Sequence, residues 1–166
     1  RVTSRQLDSI VWSPDGASLL VSCSHGLIHQ LHAKTGQPQV RTMGYRRGML
    51  GGERLTTALY RPDGQMIASY SELDSDVKIW NLQRGTYHTS ATGPGTINCI
   101  AFAPDSELAV ARTDSTIRFH DHQACKETFR IEHFPGQVYK RAFSPDGQRL
   151  AVACEHERVK IYGKAG

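Results

Sequence analysis

Four times along the chain, a run of alternating hydrophobic and polar residues ends on an aromatic and enters a proline-containing turn. The runs are DSIVW, TTALY, NCIAF and YKRAF, and the turns read WSPDG at 12–16, YRPDG at 60–64, FAPDS at 102–106 and FSPDG at 143–147. Alternation rich in β-branched and aromatic residues predicts a strand. In each turn Pro presets φ, Asp bonds the local backbone and Gly accepts positive φ. A second run follows every turn: SLLVSC, MIASY, ELAVA and RLAVAC. These are apolar on both faces, as inner strands packed between two layers should be. A polar turn leads to a third strand, LIHQLH, VKIWN, TIRFHD or RVKIY, and QVRTM, TYHTSA and ETFRIE follow as fourth, outer strands. No helical period competes.

The turn prolines stand at 14, 62, 104 and 145, so the unit repeats after 48, 42 and 41 residues. That is the period of a four-stranded propeller blade. The pattern therefore predicts an all-β chain: one β-propeller segment over 1–166, four blades of four antiparallel strands, at approximately 6–42, 54–91, 96–132 and 137–166. The last unit stops after its third strand, while RVTSRQ precedes the first inner strand and has an outer strand's place in the order. Residues 1–5 are thus expected to complete a blade. Three arrangements satisfy this: further blades on a longer chain, two copies making eight blades, or closure of four blades on themselves.

These residues resemble the WD-repeat family of β-propellers over nearly the whole chain. In the second unit Trp80-Asn81 stands where the family has Trp-Asp, and Ser69 and Asp74 match its inner-strand Ser and tight-turn Asp. In the third, Asp114 matches the turn Asp and His120-Asp121 replaces Trp-Asp. In the first and fourth, His25 and His156 take the turn-Asp position, and Leu31-His32 and Tyr162-Gly163 stand in for Trp-Asp. The family's Gly-His pair is absent, with His133-Phe134 the nearest match, so its His, Ser, Asp and Trp hydrogen-bond network is incomplete in every blade. The resemblance implies that Asp74 and Asp114 hold turns, and that the chain is a protein–protein interaction scaffold inside a multiprotein assembly. The turn phrase also resembles TolB-like propellers and the propellers of serine peptidases, which implies an alternative: a propeller that gates or accompanies an enzyme domain.

Composition narrows the chemistry. Hydrophobic residues make up 39% and charged residues 22%, a globular balance. No apolar run approaches a membrane span of about 20 residues, and the first ten residues hold no apolar signal core. The net charge of +4 is spread along the chain rather than massed, so a nucleic-acid partner is not expected. Cys23, Cys99, Cys125 and Cys154 form no CxxC pair and read as free thiols of a reducing compartment, cytoplasmic or nuclear. His120, His122 and Cys125, and the group Cys23, His25, His29 and His32, lack the converging spacing of a zinc site. There is no G-x-S-x-G, HExxH or phosphate loop. The expectation is no enzyme, no metal and no cofactor.

Binding is left to loops, which on rigid scaffolds commonly carry recognition. The long loop MGYRRGMLGGER at 43–54 accounts for the extra residues of the first spacing. Its Tyr45, Arg46, Arg47 and Arg54 are of the types that dominate interface hot spots and pair with carboxylates. His133 and Phe134, beside Pro135, are the second candidates. The expected partners are other proteins or a second copy of the chain, not a membrane.

Overall fold

The computed structural model describes residues 7–23, 26–39, 43–44, 56–71, 75–91, 93–121, 126–132, 138–144, 146–154 and 158–163. Among them every regular element is a β-strand, and the strands form four sheets in chain order. Blade 1 comprises β1 (Leu7–Trp12), β2 (Ser18–Cys23), β3 (Leu27–His32) and β4 (Met43–Gly44). Blade 2 comprises β5 (Thr56–Tyr60), β6 (Met66–Ser71), β7 (Asp76–Asn81) and β8 (Thr86–Ala91). Blade 3 comprises β9 (Ile97–Phe102), β10 (Leu108–Arg112), β11 (Ile117–Asp121) and β12 (Lys126–Ile131). Blade 4 comprises β13 (Val138–Phe143), β14 (Arg149–Cys154) and β15 (Arg158–Gly163). Within each sheet, strands follow one another as antiparallel neighbours, the make-up of a propeller blade. One detail differs from the sequence pattern. Met43, the last residue of the expected outer strand QVRTM, pairs with Ile28, and Gly44, assigned there to the long loop, continues the strand opposite Leu27.

The repeated turn behaves as its residues require. The N–H of its fourth residue donates to the carbonyl of its first: Gly16 to Ser13, Gly64 to Arg61, Ser106 to Ala103 and Gly147 to Ser144. The Asp side chain then accepts the N–H two residues on, at Ala17, Gln65, Glu107 and Gln148, over 2.9–3.2 Å. Ser13 and Ser144 add their hydroxyls to Asp15 and Asp146. The fourth residue has φ of +68° to +73° in all four turns, and only the third turn asks a non-glycine, Ser106, to adopt it. That turn is also one residue shorter: the Ala103 N–H donates its closing bond to the Glu107 carbonyl, whereas the N–H groups of Ser13, Arg61 and Ser144 donate to the carbonyls of Ser18, Met66 and Arg149.

The described contacts divide the chain into two compact units, Arg1–Leu73 with Val77–Thr89, and Asp74–Asp76 with Ser90–Gly166. In the first, β5 packs against β1 and β2, and the core gathers Leu20, Ile28, Ala58, Tyr60, Ile67 and Trp80. In the second, β13 packs against β9 over a core of Cys99, Ala109, Ala111, Ile117, Phe119, Leu150 and Val152. First strands of neighbouring blades meet in both units, as the inner strands of a propeller do. The middle strands β2, β6 and β10 are buried nearly throughout, which is why their sequences are apolar on both faces. Cys23 and Cys99 are buried thiols outside any disulfide.

Candidate functional site

Antiparallel register makes the blades comparable position by position. Trp80 pairs with Ile67 in blade 2, Leu31 with Leu19 in blade 1, His120 with Leu108 in blade 3 and Tyr162 with Leu150 in blade 4. The side chain two residues further along the second strand is Ser69 in blade 2 and valine elsewhere: Val21, Val110 and Val152. Ser69 accepts the Trp80 indole N–H at 2.8 Å in a buried bond. Leu31 asks nothing of Val21. His120 has both ring nitrogens buried without a hydrogen bond. Burial holds its pKa below the ordinary value, with Arg112 and Arg118 acting the same way against Glu127 and Glu107.

The tight turn of blade 3 carries the charges. The Asp114 carboxylate accepts the Thr116 N–H at 3.1 Å and hydroxyl at 2.6 Å, and pairs with Arg118 at 3.0 Å. Burial works against the Asp114 anion, but these donors prevail and hold its pKa below the usual range. Its work is structural. Arg112, fully buried at the end of β10, donates to the carbonyls of Pro94, Gly95 and Ser75. Burial lowers its pKa, and the carbonyls replace the hydration it has lost.

The same register exposes what the sequence pattern missed. Ile10 and Trp12 occupy the β1 positions that Ala58 and Tyr60 occupy in β5. They are 59% and 60% exposed, against 0% and 7%. Val159 and Ile161 occupy the β15 positions of Val77 and Ile79 in β7. They are 67% and 65% exposed, against 0% and 1%. Blade 1 thus presents an uncovered face of the kind blade 2 turns toward blade 1. Blade 4 presents an uncovered face whose counterpart in blade 2 is buried. Strand pattern gave no warning, because DSIVW and RVKIY alternate as their buried equivalents do.

The candidates drawn from loops are not placed. Tyr45, Arg46, Arg47, Arg54, His133 and Phe134 lie outside the described residues, as do His25, Asp74, His122, Cys125 and His156. Among the described residues no three His, Cys, Asp or Glu side chains group as metal ligands. Among the described residues no helix is long and apolar enough to cross a membrane.

Comparison with known proteins agrees with this geometry. The model of the WD domain, G-beta repeat, matches residues 85–121 and 124–163. Each match begins at or just before the outer strand of one blade and ends with the third strand of the next, so the sequence repeat and the blade are offset by one strand. Rat coronin-7 (Rattus norvegicus) is 32% identical over 99 residues, 54% of this chain and 11% of that protein. The periodic tryptophan protein 2 homolog of Caenorhabditis elegans is 30% identical over 169 aligned positions, 98% of this chain and 18% of that protein. The WD40 repeat-containing protein HOS15 of Arabidopsis thaliana is 32% identical over 106 positions, 54% of this chain and 16% of that protein. The chain therefore spans less than a fifth of the length of each of these relatives.

Proposed function

The chain belongs to the WD-repeat family of β-propellers, and from that premise we propose that it is a non-catalytic protein-interaction scaffold within a multiprotein assembly. The observation that carries this reading is the pair of uncovered apolar faces, Ile10 with Trp12 and Val159 with Ile161. Their register equivalents inside the chain are covered, and around Ala58 and Tyr60 the cover is a neighbouring blade. The occupant we assign to each face is accordingly another WD-type blade. Exposed apolar faces rimmed by polar residues commonly mark interaction sites, and tryptophan is a residue type that anchors interfaces. The rim-loop residues Tyr45, Arg46, Arg47, Arg54, His133 and Phe134 are proposed as a separate contact for partner proteins. A cytoplasmic or nuclear setting is the compartment in which Cys23 and Cys99 stay reduced.

A photo-crosslinking residue placed at position 10, with Trp12 kept, and separately at position 161, in the protein expressed in its own cells tests the faces. The expected product is a peptide from a propeller blade strand. Cross-links to non-propeller segments, or none, would overturn the assignment. For the loop, replacing both Arg46 and Arg47 by Ala should weaken capture of a partner without unfolding the chain, and undiminished capture removes the loop from the site.

A further inference from the structure

At the junction of blades 1 and 2 the cover of a face can be read residue by residue. There β5 packs against β2 and β3, and Ala58 and Tyr60 share a core with Leu20 and Ile28. The later blade thus lays its first strand on the second and third strands of the earlier one. Register carries this to blade 4, where Ala151, Val159 and Ile161 take the places of Leu20, Ile28 and Gln30. Ile28 is buried, whereas Val159 and Ile161 are exposed. The uncovered face of β15 is therefore a seat for the first strand of a following blade.

The place of Ile161 decides which first strand fits. Its counterparts in blades 1 and 3 meet the aromatic that ends the next blade's first strand, and each pair agrees in polarity. In blade 1 the counterpart is Gln30, and the aromatic is Tyr60. Burial raises the pKa of that phenol, and a hydrogen bond from the Gln30 side chain opposes the rise. In blade 3 the counterpart is Phe119, which meets Phe143 edge to face with centroids 6.2 Å apart. Blade 2 has Ile79 at this place, and the blade that follows it in the chain carries Phe102 before its turn. A hydroxyl pressed against an aliphatic side chain loses its water and gains no partner, which costs more than a made hydrogen bond returns. A phenylalanine ring carries no such atom and packs its whole surface.

We propose that the face of Val159 and Ile161 accepts the first strand of a propeller blade that carries phenylalanine directly before its turn, with that ring seated on Ile161. The identity of this residue rests on the assignment of another blade to the face, and adds to it the chemistry by which one blade is chosen over another.

The test places a photo-crosslinking residue at position 159, with Ile161 kept, in the protein expressed in its own cells, and sequences the attached peptide by mass spectrometry. The expected product is the first strand of a blade with phenylalanine before its turn. A blade strand with tyrosine or any other residue there overturns the proposal and leaves the assignment of a blade standing. A non-propeller peptide, or no product, overturns both. Two variants with the same probe read the match in polarity. Ile161→Phe copies Phe119 and should keep the yield of that product. Ile161→Gln copies Gln30 and should lower it about tenfold, because its amide is buried against the ring without a partner. Both replace an exposed side chain, so the chain should fold in each, as circular dichroism checks. Equal yields from the two variants would overturn the proposal.

Discussion

Blades 2 and 3 pose the same local question and answer it differently. Each must fill a buried place on its third strand against its second. Blade 2 uses Trp80 and supplies Ser69 to take the indole N–H. Blade 3 uses His120, with Val110 at the position of Ser69, and leaves two ring nitrogens without partners. Blades 1 and 4 show that the serine can be dropped, with Leu31 near Val21 and Tyr162 near Val152. What cannot be dropped freely is the match between the two positions. A hydrogen bond contributes little net stability compared with the cost of a buried polar group left alone. The family's network is therefore dispensable as a network, and only its mismatches matter.

Truncating the place itself should have the largest effect. Trp80→Ala removes a core side chain of blade 2 that also stacks on Tyr87 at 4.6 Å. It should destabilise the chain by about 3–5 kcal/mol in urea unfolding followed by circular dichroism. A loss under about 1 kcal/mol would mean the surrounding strands collapse into the gap. Ser69→Ala is the sharper probe. It keeps the packing and strands the indole N–H, so about 1–2 kcal/mol should be lost. No loss would show that water replaces the hydroxyl.

His120 makes the comparison depend on pH. Its pKa is lowered in the folded chain, chiefly by burial, so folding favours the neutral ring. Its stabilising share is whole above the unfolded value near 6.5 and falls as pH drops through that value toward the depressed one. His120→Leu copies Leu31 of blade 1. It should gain about 1 kcal/mol at pH 7.5 and a larger margin at pH 5.5. Equal margins at both pH values would show that the ring finds a donor-accepting partner when charged, with Glu127 the nearest candidate by register.

Much of the fold was legible because the turn is chemically overdetermined. Pro, Asp and Gly at fixed offsets, repeated four times, announce both strand ends and the period, and the structure returns the Asp-to-backbone bond in every copy. The equivalence of His120 with Trp80 was likewise legible from position alone. Its orphaned nitrogens were not, because they depend on which residue, here Val110, stands one strand away. The outer strand of blade 1 reaches one residue past QVRTM because Gly44, of little strand propensity, is held by pairing with Leu27. The uncovered faces were illegible for a deeper reason. Ile10 and Ala58 differ in what lies opposite them, and neither alternation nor propensity encodes the neighbour.

That last contrast yields the smallest expected effect on stability and the plainest reading of a face. Trp12 and Tyr60 are the aromatics before two successive turns, yet one is 60% exposed and the other 7%. Trp12→Ala removes a large apolar side chain from a surface still open to water, so the stability of the isolated chain should change by no more than about 0.5 kcal/mol. The cross-linking partner at this face should be lost all the same, because an interface anchor acts only when covered. Unfolding measured on the isolated chain separates the two cases. A cost of several kcal/mol would mean that Trp12 is packed in solution, that blade 1 has a neighbour even alone, and that its face is not waiting for another blade.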